Sequence, residues 1–269
     1  MSSQTPTFIQ SKLEIHLWWV TAILIAVNVG LFAWQVIQGM DVSNPAIEDA
    51  LAWGADYAPL TYLNEPYRLF SSMFFHFGLI HLMLNMWALY IFGSIAEQLY
   101  GRFYFLALYI LAGLTGSLLS GYVSIQDSFE LLSTGQFDAS LLPSVGAGAS
   151  GAVMGLGASL TLLSLLPVLP TQLFILDKKT LVTVLALNLV MGFMISGINN
   201  AAHIGGMIVG VLLTAIWYFG QSIRKSRLIC AIGIIIGVAI CYYFYDYNMQ
   251  QVSELKPFWQ ILVERIQTR

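Results

Sequence analysis

The sequence predicts an all-α polytopic membrane protein. Of its 269 residues, 58% are hydrophobic and only 9% are charged, with a mean hydropathy of +0.75. A soluble domain of this length cannot hide so much apolar surface. Seven stretches are long enough, at about 20 residues, to cross the hydrocarbon of a bilayer. Basic residues also gather in alternate connections between those stretches, as membrane topology demands.

The predicted spans cover residues 17–37, 75–99, 103–123, 150–166, 181–196, 201–220 and 228–245. The first is too long for a signal-peptide core and lacks a small-x-small cleavage site, so it is expected to be retained. Pro167 and Pro170 close the fourth, because proline cannot continue the ladder of amide hydrogen bonds. Residues 38–74 form a long connection with Trp53, Tyr57, Tyr62 and Tyr67 between the turn residues Pro45, Gly54, Pro59 and Pro66. So aromatic a loop suits the membrane–water interface. The more polar residues 124–149 are expected in solvent. Cys230 and Cys241 share one apolar run; on a helix they lie ~16 Å apart, too far for a disulfide.

Strict alternation places Lys12, Arg102, Lys178, Lys179, Arg224, Lys225 and Arg227 on one side. The other side receives Arg68, Lys256, Arg265 and Arg269, three of them in the terminal tail. The positive-inside rule therefore puts the N-terminus in the cytoplasm and the C-terminus outside. The organisation expected is a short cytoplasmic tail (1–16), a six-span core (17–220), a basic loop with a seventh span (221–245), and an outer tail (246–269). A net charge of −3 offers no basic footprint for nucleic acid.

Within this apolar chain, a few polar residues carry chemistry. Ser150 opens the fourth span inside Gly148-Ala149-Ser150-Gly151. A serine hydroxyl needs a base within hydrogen-bond reach to act as a nucleophile. The flanking glycines let a backbone approach, and free amides at a helix N-terminus point where an oxyanion would form. The alternative is an N-cap serine followed by small packing residues.

His203 opens the sixth span, at the same outer depth as Ser150. Ionisable residues inside spans are rare and mark functional sites by default. Gly206 and Gly210 follow His203, as Gly151 and Gly155 follow Ser150, so two glycine faces can bring imidazole to hydroxyl. A histidine satisfied by a backbone carbonyl in a tight crossing is the alternative. His81 and Asn85, at i and i+4 in the second span, supply donors for an oxyanion, or else an interhelical hydrogen bond. His76, five residues before His81, is off that face and reads as structural. No His-Glu-x-x-His string or cysteine pair supports a metal site, and no cofactor is expected. The carboxylate Glu97 lies near the cytoplasmic end of its span, and paired intramembrane aspartates are absent.

These residues resemble the rhomboid family of intramembrane serine proteases. The resemblance runs from about residue 54 to 210, on Gly54-Ala55-Asp56-Tyr57, Tyr67-Arg68, His81-x-x-x-Asn85, Gly148-Ala149-Ser150-Gly151 and Asn200-Ala201-Ala202-His203-x-x-Gly206-x-x-x-Gly210. It implies a rhomboid-like six-helix core plus one C-terminal transmembrane helix, the six-plus-one bacterial form, in an inner membrane. It further implies Ser150 as nucleophile and His203 as base, without a third acidic member. An oxyanion hole from His81, Asn85 and the Ser150 amide, and Arg68 as a structural anchor, follow from the same likeness. Two positions depart from the family pattern. Tyr67 replaces a tryptophan, and Met154 stands where many members carry an aromatic ring on the catalytic histidine; a thioether orients an imidazole less firmly.

The function expected is hydrolysis of a peptide bond in or beside a transmembrane segment of another membrane protein. Polar Asn199 and Asn200, with Gly197 as a hinge, would admit water and substrate from the outer side. A rhomboid-like pseudoprotease that binds membrane clients is the alternative. A transporter would need mid-membrane ionisable residues or broken-helix pairs, and neither is visible.

Overall fold

The first long helix, α1 (Trp19–Ile37), has no side-chain cap of its own. Its cap comes from the following span. Glu97 accepts hydrogen bonds from Val20 N (3.1 Å), Thr21 N (2.8 Å) and Thr21 Oγ1 (2.9 Å). A carboxylate at a helix N-terminus satisfies orphan amides and complements the helix dipole. The buried acid of the second span is thus part of an interhelical joint. The computed structural model describes residues 15–169, 172, 176–194 and 200–267.

The first connection folds into short elements: α2 (Ile47–Ala52), β1 (Asp56–Tyr57), α3 (Ala58–Leu63) and α4 (Arg68–Ser71). Arg68, buried, gathers them. Its Nη1 donates to Leu51 O and Ala55 O, both at 2.8 Å, and its Nε donates to Glu65 Oε2 at 2.6 Å. Tyr57 and Tyr62 are packed inside the protein rather than at an interface, whereas Tyr67 is exposed. The segment closes a small core of its own against later helices.

There follow α5 (Leu79–Tyr100), α6 (Arg102–Thr134), β2 (Val145–Gly146), α7 (Ser150–Leu165), α8 (Lys178–Met194), α9 (Asn200–Ser222) and α10 (Ser226–Gln267). Among the described residues, α1, α5, α6, α9 and α10 are long and apolar enough to cross a membrane, and α7 is a shorter apolar helix. The chain is an all-α polytopic membrane protein. Both cysteines are free.

Two sequence expectations need correction. The third predicted span was to end at residue 123 and yield to a solvent loop, but α6 continues to Thr134 and buries Ser124, Ile125, Ser128 and Leu131. The seventh was to end at residue 245, but α10 continues to Gln267, with Pro257 inside the helix. Hydropathy registers only the stretch that matches lipid. The extensions instead carry amphipathic stripes, such as Val252, Leu255, Trp259 and Val263, that need a protein partner.

Here the partners are one another and the first connection. Trp259, fully buried, donates its Nε1–H to Ser128 Oγ (3.0 Å). Asn248 Nδ2 donates to Tyr62 Oη (2.8 Å) and to Leu118 O (3.0 Å). Gln126 Nε2 donates to Gln251 Oε1 at 2.8 Å. Trp259→Ala is therefore expected to cost about 3–5 kcal/mol, the range for an aromatic core truncation. Thermal unfolding in detergent reads it, and a residue in a loose tail would show no change.

Helices α6, α7 and α9 pack tightly together, and glycine allows it. A Cβ on Gly206 would collide with the Gly151 carbonyl, and one on Gly210 with the Gly155 carbonyl. Gly116 of α6 is similarly closed by Ala202 O, at 2.6 Å from a Cβ position. The pairs 151 with 206 and 155 with 210 advance together, so α7 and α9 run parallel.

Candidate active site

The segment before Ser150 is held from three directions. Strand β2 pairs antiparallel with β1, Asp56 opposite Gly146 and Tyr57 opposite Val145. Gly148 donates its N–H to Ser72 O (2.8 Å), and Ala149 donates to His76 Nε2 (3.4 Å). The anchor at Arg68 therefore reaches Ser150 through β1 and β2. Gly148 has φ +120°, a conformation that side chains rarely adopt.

Ser150 is the first residue of α7. Ala149 takes the N-cap position with no side-chain hydrogen bond, so the capping alternative for this serine is not realised. The first intrahelical bond runs from Val153 N to Ala149 O (3.0 Å). The amides of Ser150, Gly151 and Ala152 precede the ladder and point out of the helix start.

His81 stands against Gly148. A Cβ there would lie 2.9 Å from His81 Cε1 and 3.0 Å from Nε2, so the imidazole occupies the space of the missing side chain. Phe77 N donates to His81 Nδ1 (3.2 Å). In the neutral ring the proton must then sit on Nε2, the nitrogen beside Gly148. Asn85 uses one Nδ2 hydrogen on His81 O (3.0 Å), leaving the second available.

His203 is buried in the first turn of α9, and its Nδ1 has no hydrogen-bond partner among the described residues. Gly151, next to Ser150, packs on Ala202, next to His203; a Cβ at 151 would lie 3.2 Å from Ala202 O. Ser150 and His203 line one cavity of about 920 Å³, with His81, Asn85, Gly148 and Met154. No hydrogen bond joins Ser150 to His203 among the described residues; such bonds are often long before substrate arrives. Met154 is buried with Leu185 and beside Met207, one turn beyond His203. Asn200 begins α9, and its Oδ1 has no partner among the described residues. Gly197 and Asn199 lie outside the described residues.

His76, off the His81 face and read from the sequence as structural, supports the serine loop. The spacing rule does not apply, because Gly78, with φ +90°, breaks the chain direction before α5 starts. His76 is fully buried, with its ring edge-on to His81 at 5.3 Å. Only the fold shows this role.

Asp56 also borders the cavity. Burial raises its carboxyl from the ordinary 3.8 to about 6, against a 2.6 Å hydrogen bond from Thr61 and the charge of Arg68. A folded-state value above the unfolded one means the protonated form suits the fold. The associated stability is full below pH 3.8 and is lost as pH rises through about 6. The swing is on the order of 3 kcal/mol. Asp56→Asn keeps the acceptor and removes the titration. Its melting temperature is expected to lose this slope between pH 4 and 7 (roughly the interval between the two values).

A cavity holding a serine and a histidine, each at the start of one of two parallel, glycine-packed helices, defines a polytopic helical membrane protein with a polar site inside its apolar bundle. Comparison with known proteins gives the family. The rhomboid domain model matches residues 63–222, and the chain belongs to the rhomboid family. It is 27% identical to the rhomboid protease AarA of Providencia stuartii, over 96% of this chain and 95% of that protein. It is 28% identical to the rhomboid protease GluP of Bacillus subtilis, over 87% of this chain and 44% of that one. It is 33% identical to RHOMBOID-like protein 5 of Arabidopsis thaliana, over 68% and 54% respectively. The chain thus spans nearly all of AarA but about half of the other two.

Proposed function

We propose that this protein is an intramembrane serine protease cleaving a peptide bond in or beside a transmembrane segment of another membrane protein. The observation that carries the reading is the glycine register of α7 and α9, which sets Ser150 and His203 at one depth in one cavity. Kinship with rhomboid proteases supports it.

Ser150 Oγ attacks the scissile carbonyl carbon while His203 takes the hydroxyl proton. The carbonyl oxygen gains negative charge and meets three donors: His81 Nε2–H, Asn85 Nδ2–H and the Ser150 amide. Collapse breaks the C–N bond, and His203 returns the proton to the leaving amine. Water then attacks the acyl-enzyme by the same route and frees Ser150. Among the described residues His203 Nδ1 has no carboxylate partner, so packing must orient the ring; Met154 lines the same cavity. Arg68 acts as the anchor of the serine loop. Asn200, at the start of α9 three residues before His203, would be a supporting polar group.

Helix α7 spans only ~24 Å, short of the ~30 Å hydrocarbon core. Ser150 would therefore sit below the outer surface, with its cavity open to that side. The N-terminus lies in the cytoplasm of a bacterial inner-membrane protein under this reading, and α10 ends outside.

Fluorophosphonate labelling of the detergent-purified protein tests the proposal. Labelling of wild type that disappears in Ser150→Ala and His203→Ala is the expected result. A folded wild type that does not label would overturn it in favour of a client-binding protein without cleavage. His81→Ala and Asn85→Ala are each expected to lower kcat by about 10²–10³, the usual loss for one oxyanion donor. Cleavage of a single-pass reporter measures that change.

A further inference from the structure

Helix α8 leads from the end of α7 toward the start of α9, so it runs opposite to both. Past Thr183 its sequence is apolar to Met194 except for Asn188. Leu185 is buried with Met154 and Ala158 of α7, and Leu189 packs on the same cluster. Asn188, between Leu185 and Leu189, therefore stands beside the first turn of α7, which Ser150 opens. It borders the same cavity as Ser150 and His203, along with the apolar Leu84, Ala88, Val153 and Met154.

A carboxamide inside a span is costly unless it finds hydrogen bonds. Asn188 meets part of that need within its own helix, where Nδ2 donates to Val184 O at 2.8 Å. That bond uses one amide hydrogen and leaves the second, with the Oδ1 acceptor, for another group. Asn28 of α1 makes the same bond, to Leu24 O at 2.8 Å, but is fully buried. Asn188 is only partly buried and opens on the cavity.

We infer that Asn188 is a substrate-binding residue: its carboxamide donates to a backbone carbonyl, and accepts from a backbone amide, of the unwound substrate segment beside the scissile bond. The inference rests on the protease reading above. A substrate helix arrives with its backbone groups paired, and opening it orphans N–H and C=O groups in an apolar setting. Each orphan is costly until it finds a partner. A carboxamide offers a donor and an acceptor together, as a peptide group does, and has no charge to desolvate. The bond to Val184 holds it in place beforehand, so little freedom is lost on binding.

The test uses the full-length protein in detergent and a synthetic single-pass substrate. Single backbone amides near the cleaved bond, but not at it, are replaced by esters, each of which removes one N–H donor and keeps the side chain. Asn188→Leu keeps the bulk of the side chain and removes both hydrogen-bonding groups. It is expected to lower kcat/KM for the all-amide substrate about tenfold, the size of one or two hydrogen bonds. Its fluorophosphonate labelling should match wild type, because the small probe has no peptide backbone to bind. In wild type one ester position should cost a similar factor. In Asn188→Leu that ester should cost nothing more, since two groups in contact are not additive. Loss of labelling in folded Asn188→Leu would make the residue a support of the dyad and overturn the inference. Cleavage by Asn188→Leu at the wild-type rate would overturn it too, as would ester effects that add to the substitution at every position. No labelling of folded wild type would defeat the protease reading itself.

Discussion

Ser150→Ala is expected to bring reporter cleavage down by about 10⁵-fold. His203→Ala should do the same, and the double variant should be no worse than either single one. Residues that act as one unit are not additive: without the base the hydroxyl is barely nucleophilic, and without the hydroxyl the base has nothing to activate. A double variant tenfold below both singles would show two independent contributions and count against a dyad. What residual rate survives should depend on His81 and Asn85, whose donors do not need Ser150 Oγ.

Gly206→Ala carries the second large effect, through one methyl group. The added Cβ would collide with the Gly151 carbonyl, a backbone atom with no rotamer to escape into. Helices α7 and α9 must then move apart by about 1 Å, and a misplacement of that size costs about 10²-fold in a positioned reaction. Labelling of Ser150 should fall accordingly, while helix content by circular dichroism stays close to wild type. Gly210→Ala meets the Gly155 carbonyl, a turn further from the site. It should separate the same helices with a smaller loss of labelling. Equal labelling in Gly206→Ala and wild type would mean the glycine register does not set the Ser150–His203 geometry.

The glycine faces were readable in advance because they repeat at i, i+4 within each helix, and packing glycines need no distant partner to be recognised. The same holds for Ser150 and His203, which stand out against apolar neighbours. His76 did not stand out. Its partner, Ala149, lies 73 residues away, and nothing near either residue announces the other. The helical extensions were missed for a related reason. Residues 124–134 and 246–267 look polar by average hydropathy, and their apolar stripes find each other only across the fold, as Asn248 finds Tyr62 186 residues away.

By itself, then, the sequence determined the all-α polytopic membrane class and singled out Ser150 and His203, in the first turns of α7 and α9. Each of these follows from local composition and periodicity, which act within a few turns of chain. Tertiary structure alone decided that Glu97 caps α1, that His76 and Ser72 hold the serine loop, and that the end of α10 walls the cavity. Those arrangements depend on buried hydrogen bonds and apolar contacts between segments far apart in sequence. Their energy exists only once the helices have closed on one another.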